Sequence, residues 1–395
     1  MLPNGWKKSK IGETCSLLSG QDFPPNLYGN EEKGLPYITG ASNFAGNHMI
    51  LNRWTEHPKN IAKKGDILLV CKGSGFGITA IADFEKAHIA RQVMALQKLN
   101  GVDRDFLYQV ISMNVRNIKQ KGCGLIPGID RKTVLNIEYL LPPLEEQKKI
   151  AATLSVWDSA IEKMEKLIDA KEDQKKSLIW KLIESNDNRK IKLGKVVVDK
   201  NKWRKSKLSD VASGFDYGMN AAAKEYDGKN KYIRITDIDD VSHKFNSIDL
   251  VSPNAELEDK YRVNEGDILF ARTGASTGKS YLYDKNDGVL YFAGFLIRVH
   301  VLKDDPFFIY VQTLSSKYQN WLKKMSMRSG QPGVNAEEYK NLPILVPTLP
   351  EQNAITEVLF ATDKELSLLK QQLENYKKQK QGLMQKLLTG QWRVK

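Results

Sequence analysis

The sequence predicts an α+β (mixed α/β) protein: two pseudo-symmetric globules joined by two long antiparallel coiled-coil helices. Three observations carry this prediction. Four short motifs recur in the same order along the 395 residues. Each copy opens with short apolar and β-branched runs separated by Gly, Asn and Asp clusters, the pattern of strands and turns. Each copy then closes on a long stretch whose apolar residues step by three and four, the pattern of a coiled-coil seam.

The repeat organises the whole chain. Trp6-Lys7-Lys8-Ser9-Lys10 returns as Trp203-Arg204-Lys205-Ser206-Lys207, and Gly65-Asp66-Ile67-Leu68 as Gly266-Asp267-Ile268-Leu269. Pro127-Gly128-Ile129 returns as Pro332-Gly333-Val334. Pro142-Pro143-Leu144-Glu145-Glu146-Gln147-Lys148-Lys149-Ile150 returns as Pro347-Thr348-Leu349-Pro350-Glu351-Gln352-Asn353-Ala354-Ile355. The offset drifts slowly from the first motif to the last, as two copies of one unit do after a few loop insertions.

Within the globules, strands are expected at 67–70, 268–270, 290–292 and 295–301. Helices are expected around 105–118 and 306–325. In the first long stretch, residues 145–183 contain no Gly or Pro. The seam runs through Ile150, Leu154, Trp157, Ile161, Met164 and Ile168, then Lys171 and Lys175 in phase, then Leu178 and Leu182. The second copy continues the pattern with Ile355, Leu359, Thr362, Leu366, Leu369, Leu373, Tyr376, Lys380, Leu383 and Leu387. Each helix is about 58 Å long at 1.5 Å per residue, and so narrow an apolar stripe needs a partner helix. Pseudo-symmetry makes the two antiparallel, with a globule at each end. The boundaries read as 1–141 for the first globule, 142–185 for the first helix, 186–202 for a polar linker, 203–346 for the second globule and 347–395 for the second helix.

Charge separates the parts. The chain carries a net charge of +13. Residues 145–183 balance eight Lys against eight acids, so the excess belongs to the globules and linker. A basic excess calls for an acidic partner. Balanced helices argue against a membrane surface, which favours Lys-rich amphipathic helices. No apolar run reaches the ~20 residues of a spanning helix, and no apolar export signal opens the chain. Three widely spaced cysteines exclude a C-x-x-C zinc pair and a disulfide framework, and point to the cytoplasm.

No catalytic set is visible. Thr273-Gly274-Ala275-Ser276-Thr277-Gly278-Lys279-Ser280 approaches a phosphate-binding loop but has Thr273 where the first Gly is required, and the other copy has Ile78 in place of the Lys. The five histidines show no metal spacing. No nuclease or methyltransferase motif is present, so no cofactor, metal or catalytic residue is assigned. What both copies do carry is polar and basic residues on Gly-rich loops. The candidate DNA-binding residues are Lys72, Ser74, Arg91 and Gln92 in the first copy, and Arg272, Thr273, Ser276, Thr277, Lys279, Arg328, Ser329 and Gln331 in the second. Arg and Gln are the side chains that pair bidentately with guanine and adenine edges.

These features together closely resemble the specificity subunit of type I restriction-modification enzymes. The resemblance covers nearly the whole chain and rests on the duplicated globule and helix, the Gly-Asp-Ile-Leu strands, and the motif at 142–150 and 347–355, where Thr348 and Pro350 depart from the family pattern. It implies two target recognition domains held apart by the coiled coil, each reading half of a bipartite sequence in double-stranded DNA. It also implies partners: two modification subunits that methylate adenine N6, and restriction (motor-nuclease) subunits. The subunit itself is then expected to be non-catalytic. The alternatives are an architectural DNA-binding scaffold without sequence preference, which would keep the loops of the two copies alike, and a self-contained restriction enzyme, which would need the missing motifs.

Overall fold

The computed structural model describes residues 2–46, 48–73, 75–120, 128–185, 190–240, 242–326 and 333–394. The chain forms two compact units, one of residues 1–168 and 369–395, the other of residues 169–368.

The first unit is built on a four-stranded antiparallel sheet of β1 (Ser16–Ser19), β2 (Ile67–Val70), β3 (Thr79–Ile81) and β4 (Val93–Gln97), in the order β1-β4-β2-β3. The second unit repeats it with β5 (Ala212–Tyr217), β6 (Asp267–Ala271), β7 (Ser280–Leu282) and β8 (Leu296–Val301), in the order β5-β8-β6-β7. The continuous apolar runs of β2 and β6 follow from burial on both faces. Ile67 and Leu69 join one core cluster while Leu68 joins another. Ile268 and Phe270 divide from Leu269 and Ala271 in the same way.

The repeated Gly-Asp-Ile-Leu motif is a turn into the central strand. Asp66 accepts a hydrogen bond from the Lys63 amide, and Asp267 one from the Asn264 amide, each at 2.7 Å. Gly65 and Gly266 take φ of +86° and +87°, which side chains at those positions would resist. The Trp-led motif is an edge strand that closes its own globule. Lys7–Lys10 pairs antiparallel with Glu138–Leu141, and Arg204–Lys207 with Pro343–Val346, just before each long helix. Each unit also carries a parallel pair, Leu35–Ile38 with Lys86–Ile89 in the first and Lys231–Ile233 with Leu290–Phe292 in the second.

In the first unit α1 (Arg104–Gln120) covers the expected helix and buries Phe106, Leu107, Val110, Ile111 and Val115. The long helix α2 (Leu144–Ile179) starts in this unit. In the second unit the single helix expected at 306–325 is instead two, α3 (Pro306–Gln312) and α4 (Ser316–Ser326). The reason lies at the break. The buried hydroxyls of Thr313 and Ser315 donate to the carbonyls of Tyr310 and Gln312, and the Gln312 amide bonds both backbone groups of Leu345. Such local bonds replace the helical ladder. The second long helix, α5 (Leu349–Leu388), starts in the second unit and ends in the first.

The α2–α5 contacts inside each unit are antiparallel. In the first unit Asp158 pairs with Lys380 and Glu165 with Lys377 (2.9 Å). In the second, Lys171 pairs with Glu365 (2.9 Å) and Lys175 with Asp363 (2.5 Å). Seam positions Ile150, Leu154, Ile168, Ile355, Leu359, Leu366, Leu373 and Leu387 are buried. Trp157 lies edge-on to Tyr376, with ring centroids 5.9 Å apart. At the end of α2 the buried residue is Ile179, with Leu178 only half-buried, and a π turn, Trp180–Glu184, follows directly.

The motif shared by the starts of the two helices locks each helix to its globule. Gln147 is buried; it accepts from the Asp103 amide (2.7 Å) and donates to the Pro142 carbonyl (2.9 Å). Gln352 does the same with the Asp305 amide (2.8 Å) and the Pro347 carbonyl (3.0 Å). Among the described residues no helix is long and apolar enough to cross a membrane.

Candidate nucleic-acid interface

The Gly-rich loops are the β2–β3 and β6–β7 turns, and their backbones match bond for bond. In the first, Gly77 N donates to Val70 O, Phe76 N to Gly73 O and Ile78 N to Gly75 O (2.9, 3.0 and 3.2 Å). In the second, Gly278 N donates to Ala271 O, Thr277 N to Gly274 O and Lys279 N to Ser276 O (2.8, 3.1 and 3.0 Å). Gly73, Gly77, Gly274 and Gly278 all take positive φ, the conformation that tight turns demand. The flanking connections match too. Cys71 N donates to Gln92 O (2.7 Å) and Arg272 N to Phe295 O (3.0 Å). Ile129 N donates to Cys71 O and Val334 N to Arg272 O, both at 2.9 Å. The bridge between Lys72 and Gly128 has its counterpart between Thr273 and Gly333. A glycine in each copy lets this region close. A Cβ on Gly20 would come 2.0 Å from Ala90 O, and one on Gly218 2.2 Å from Ala293 O.

On this common frame the side chains differ. The first unit brings together Lys72, Arg91 and Gln92. Lys72 is exposed. The Arg91 guanidinium, 68% exposed, pairs with Asp22 at 2.7 Å, and the Arg91 amide donates to the same carboxylate. The Gln92 amide, oriented as a donor, reaches Thr39 O (3.2 Å) and Asp22 Oδ1 (3.3 Å). A Cβ on Gly75 would meet that of Ala41, so this turn rests on the 41–43 segment. At the position of Arg272 stands Cys71, fully buried, whose thiol donates to Gln92 O (3.2 Å). Burial pushes that thiol's pKa up, so it stays neutral.

The second unit brings together Arg272, Thr273, Ser276 and Thr277. The Thr277 hydroxyl is turned inward onto Gly274 O (2.7 Å). Arg272 donates from Nε to Gly294 O (3.0 Å), and its guanidinium carbon lies 4.9 Å from the Tyr217 ring and 5.8 Å from the Phe295 ring. Both rings are exposed, Tyr217 by 45% and Phe295 by 56%. Lys279 is placed differently. Only 12% of its side chain is exposed, and its ammonium bonds Ile238 O (3.0 Å) and Asp240 (2.6 Å). Its charge is therefore spent within the globule. Ser74, Arg328, Ser329 and Gln331 lie outside the described residues.

Sequence reasoning missed Tyr217, Phe295 and Asp22. The motif offsets straddle these positions without aligning them, and the structure supplies the equivalence: Tyr217 precedes Gly218 as Ser19 precedes Gly20, and Phe295 O accepts from Arg272 N as Gln92 O does from Cys71 N, so large exposed rings stand where the other copy has polar side chains. His88 is buried against Phe23 with ring centroids 4.2 Å apart, donates from Nε2 to Gln21 O (2.7 Å), and accepts from the Asn60 amide at Nδ1 (3.2 Å). Burial lowers its pKa, which keeps it neutral. Among the described residues no group of three His, Cys, Asp or Glu side chains could hold a metal ion.

Comparison with known proteins extends over the whole chain. The family described as type I restriction modification DNA specificity domain matches residues 3–172 and again 200–377. The type I restriction enzyme MjaVIII specificity subunit of Methanocaldococcus jannaschii is 27% identical over an alignment covering 100% of this chain and 94% of that protein. The type I restriction enzyme EcoDI specificity subunit of Escherichia coli is 20% identical, covering 100% of this chain and 91% of the relative. Among solved structures, the S subunit of a type I restriction-modification system from M. genitalium superposes with a TM-score of 0.58 at 19% identity, over 98% of both chains.

Proposed function

The chain belongs to the family of type I restriction-modification DNA specificity proteins, and we propose that its two globules, residues 1–141 and 203–346, each read one half of a bipartite, asymmetric site in double-stranded DNA. The observation that carries this reading is the matched turn with unmatched side chains. Equivalent backbone hydrogen bonds hold Cys71 and Gln92 in one copy and Arg272 and Phe295 in the other. A frame that is kept while the side chains it carries change, from a buried Cys71 to a half-exposed Arg272, suits a reader of variable sequence. A protein that bound DNA by shape alone would have no use for the divergence.

In this reading the long helices dock modification and restriction subunits. The partners methylate adenine N6 and cleave, while this chain supplies recognition and no chemistry, and the complex works in the cytoplasm. The basic excess outside the helices provides the phosphate attraction that any duplex contact needs.

The decisive experiment is methylome sequencing of the host with and without this gene. Loss of one bipartite adenine-methylation motif is expected. An unchanged methylome in a strain whose partner subunits are expressed would overturn the reading.

A further inference from the structure

Resting on the reading of the second globule as a half-site reader, the geometry points to Arg272 as a preset guanine reader, clamped by Tyr217 and Phe295, that has no counterpart in the first globule. Three features hold it. Its Nε is committed to Gly294 O at 3.0 Å, which fixes the plane and heading of the guanidinium. Its cationic carbon sits 4.9 Å from one ring centroid and 5.8 Å from another, within the range of cation–π attraction. Its backbone is tied on both sides, the amide to Phe295 O and the carbonyl to the Val334 amide.

Among the described residues no partner takes Nη1 or Nη2. These two terminal nitrogens are the edge that pairs with O6 and N7 of guanine in the major groove. A long side chain ordinarily loses rotamer freedom on binding, and one already held loses less. The Arg272 fork is therefore prepared for a planar two-acceptor target. The exposed rings add apolar surface that excludes water around the pairing and can lie against neighbouring base edges or methyl groups. In the first globule the same backbone position holds the buried Cys71, and the position of Phe295 holds Gln92. That copy cannot make the same contact, so the preference set by Arg272 belongs to one half-site only.

The test uses the full chain assembled with its modification subunits and a randomised double-stranded DNA library, followed by competition with single-base variants of the selected site. The wild type is expected to require G at one position of one half-site, by about tenfold to hundredfold over the other bases. Arg272→Ala should flatten that position alone and leave the opposite half-site unchanged. Arg272→Lys keeps the charge and the fold but loses the fork, and should lose most of the preference as well. Phe295→Ala should weaken the same position without abolishing it. A specific wild type whose motif is untouched by Arg272→Lys and Arg272→Ala would overturn the inference and leave the DNA-reading function standing. Equal weakening on all sequences would also overturn it, assigning Arg272 to phosphate. A wild type with no sequence preference would overturn both.

Discussion

Lys175 places its ammonium 2.5 Å from the carboxylate of Asp363, and the repeat-equivalent residues Asp158 and Lys380 form the same pair in the other unit. Lys175 stands where the first helix's apolar seam is interrupted, and Lys380 at the same phase of the second. The interruption is thus a cross-helix ion pair, half-shielded from water, with the acid and the base exchanging helices between the units. Such pairs set register more than they add stability.

Breaking one partner should cost more than an exposed pair does. Lys175→Ala is expected to destabilise the second unit by about 1–2 kcal/mol, between the exposed and fully buried limits. The charge-swapped double variant Lys175→Asp with Asp363→Lys should recover much of the loss. Denaturant unfolding of Lys175→Asp, Asp363→Lys and the double variant, read as a thermodynamic cycle, checks the coupling.

The glutamines at the helix starts should behave as core residues although they are polar. Gln352→Ala removes an acceptor from the Asp305 amide and donors to the Pro347 carbonyl and Asp304. Leaving such groups without partners is expected to cost about 2–4 kcal/mol. Gln147→Ala should do the same in the first unit. Thermal unfolding measures both.

Gly20→Ala and Gly218→Ala should each disrupt the connection beneath the Gly-rich turns, because the new Cβ would fall within 2.0 Å and 2.2 Å of backbone oxygens that cannot swing away. A loss of about 3 kcal/mol or more is expected, at the far end of single substitutions. Unfolding midpoints test this. A stability within 0.5 kcal/mol of wild type, to the order of magnitude of a neutral surface change, would contradict it.

Acid should loosen the C-terminal tail from the first unit. Burial works to raise the Glu146 pKa, but bonds from Arg393 and Trp6 outweigh it and hold the carboxyl below its usual value. A carboxylate with a depressed folded pKa stabilises above the unfolded value of 4.5 and loses that contribution as pH falls through the folded one. Amide exchange at residues 389–394 should therefore speed up as pH is lowered below 4.5, after correction for intrinsic rates. Glu146→Gln should show the faster exchange already at neutral pH and no further acid dependence.

The amino-acid sequence by itself determined the duplication, the buried strands and the seam. Each is written in local order: four motifs at a drifting offset, apolar runs such as Ile67–Val70, and apolar steps of three and four. Burial forces these patterns, since a strand covered on both faces must be apolar throughout. Tertiary structure alone decided what each side chain meets. Trp157 fits the seam pattern, but only packing selects Tyr376 as its partner. Lys279 reads as an exposed loop cation until Ile238 and Asp240, far away in the chain, take its charge. Pro306 to Ser326 has helical spacing throughout, yet buried Thr313, Ser315 and Gln312 find backbone partners that break it. Arg272 is one basic residue among many until Tyr217, Gly294 and Phe295 close around it. Periodicity encodes which face a residue occupies, whereas hydrogen bonds and ring contacts join residues distant in the chain, and those pairings exist only once the chain has folded.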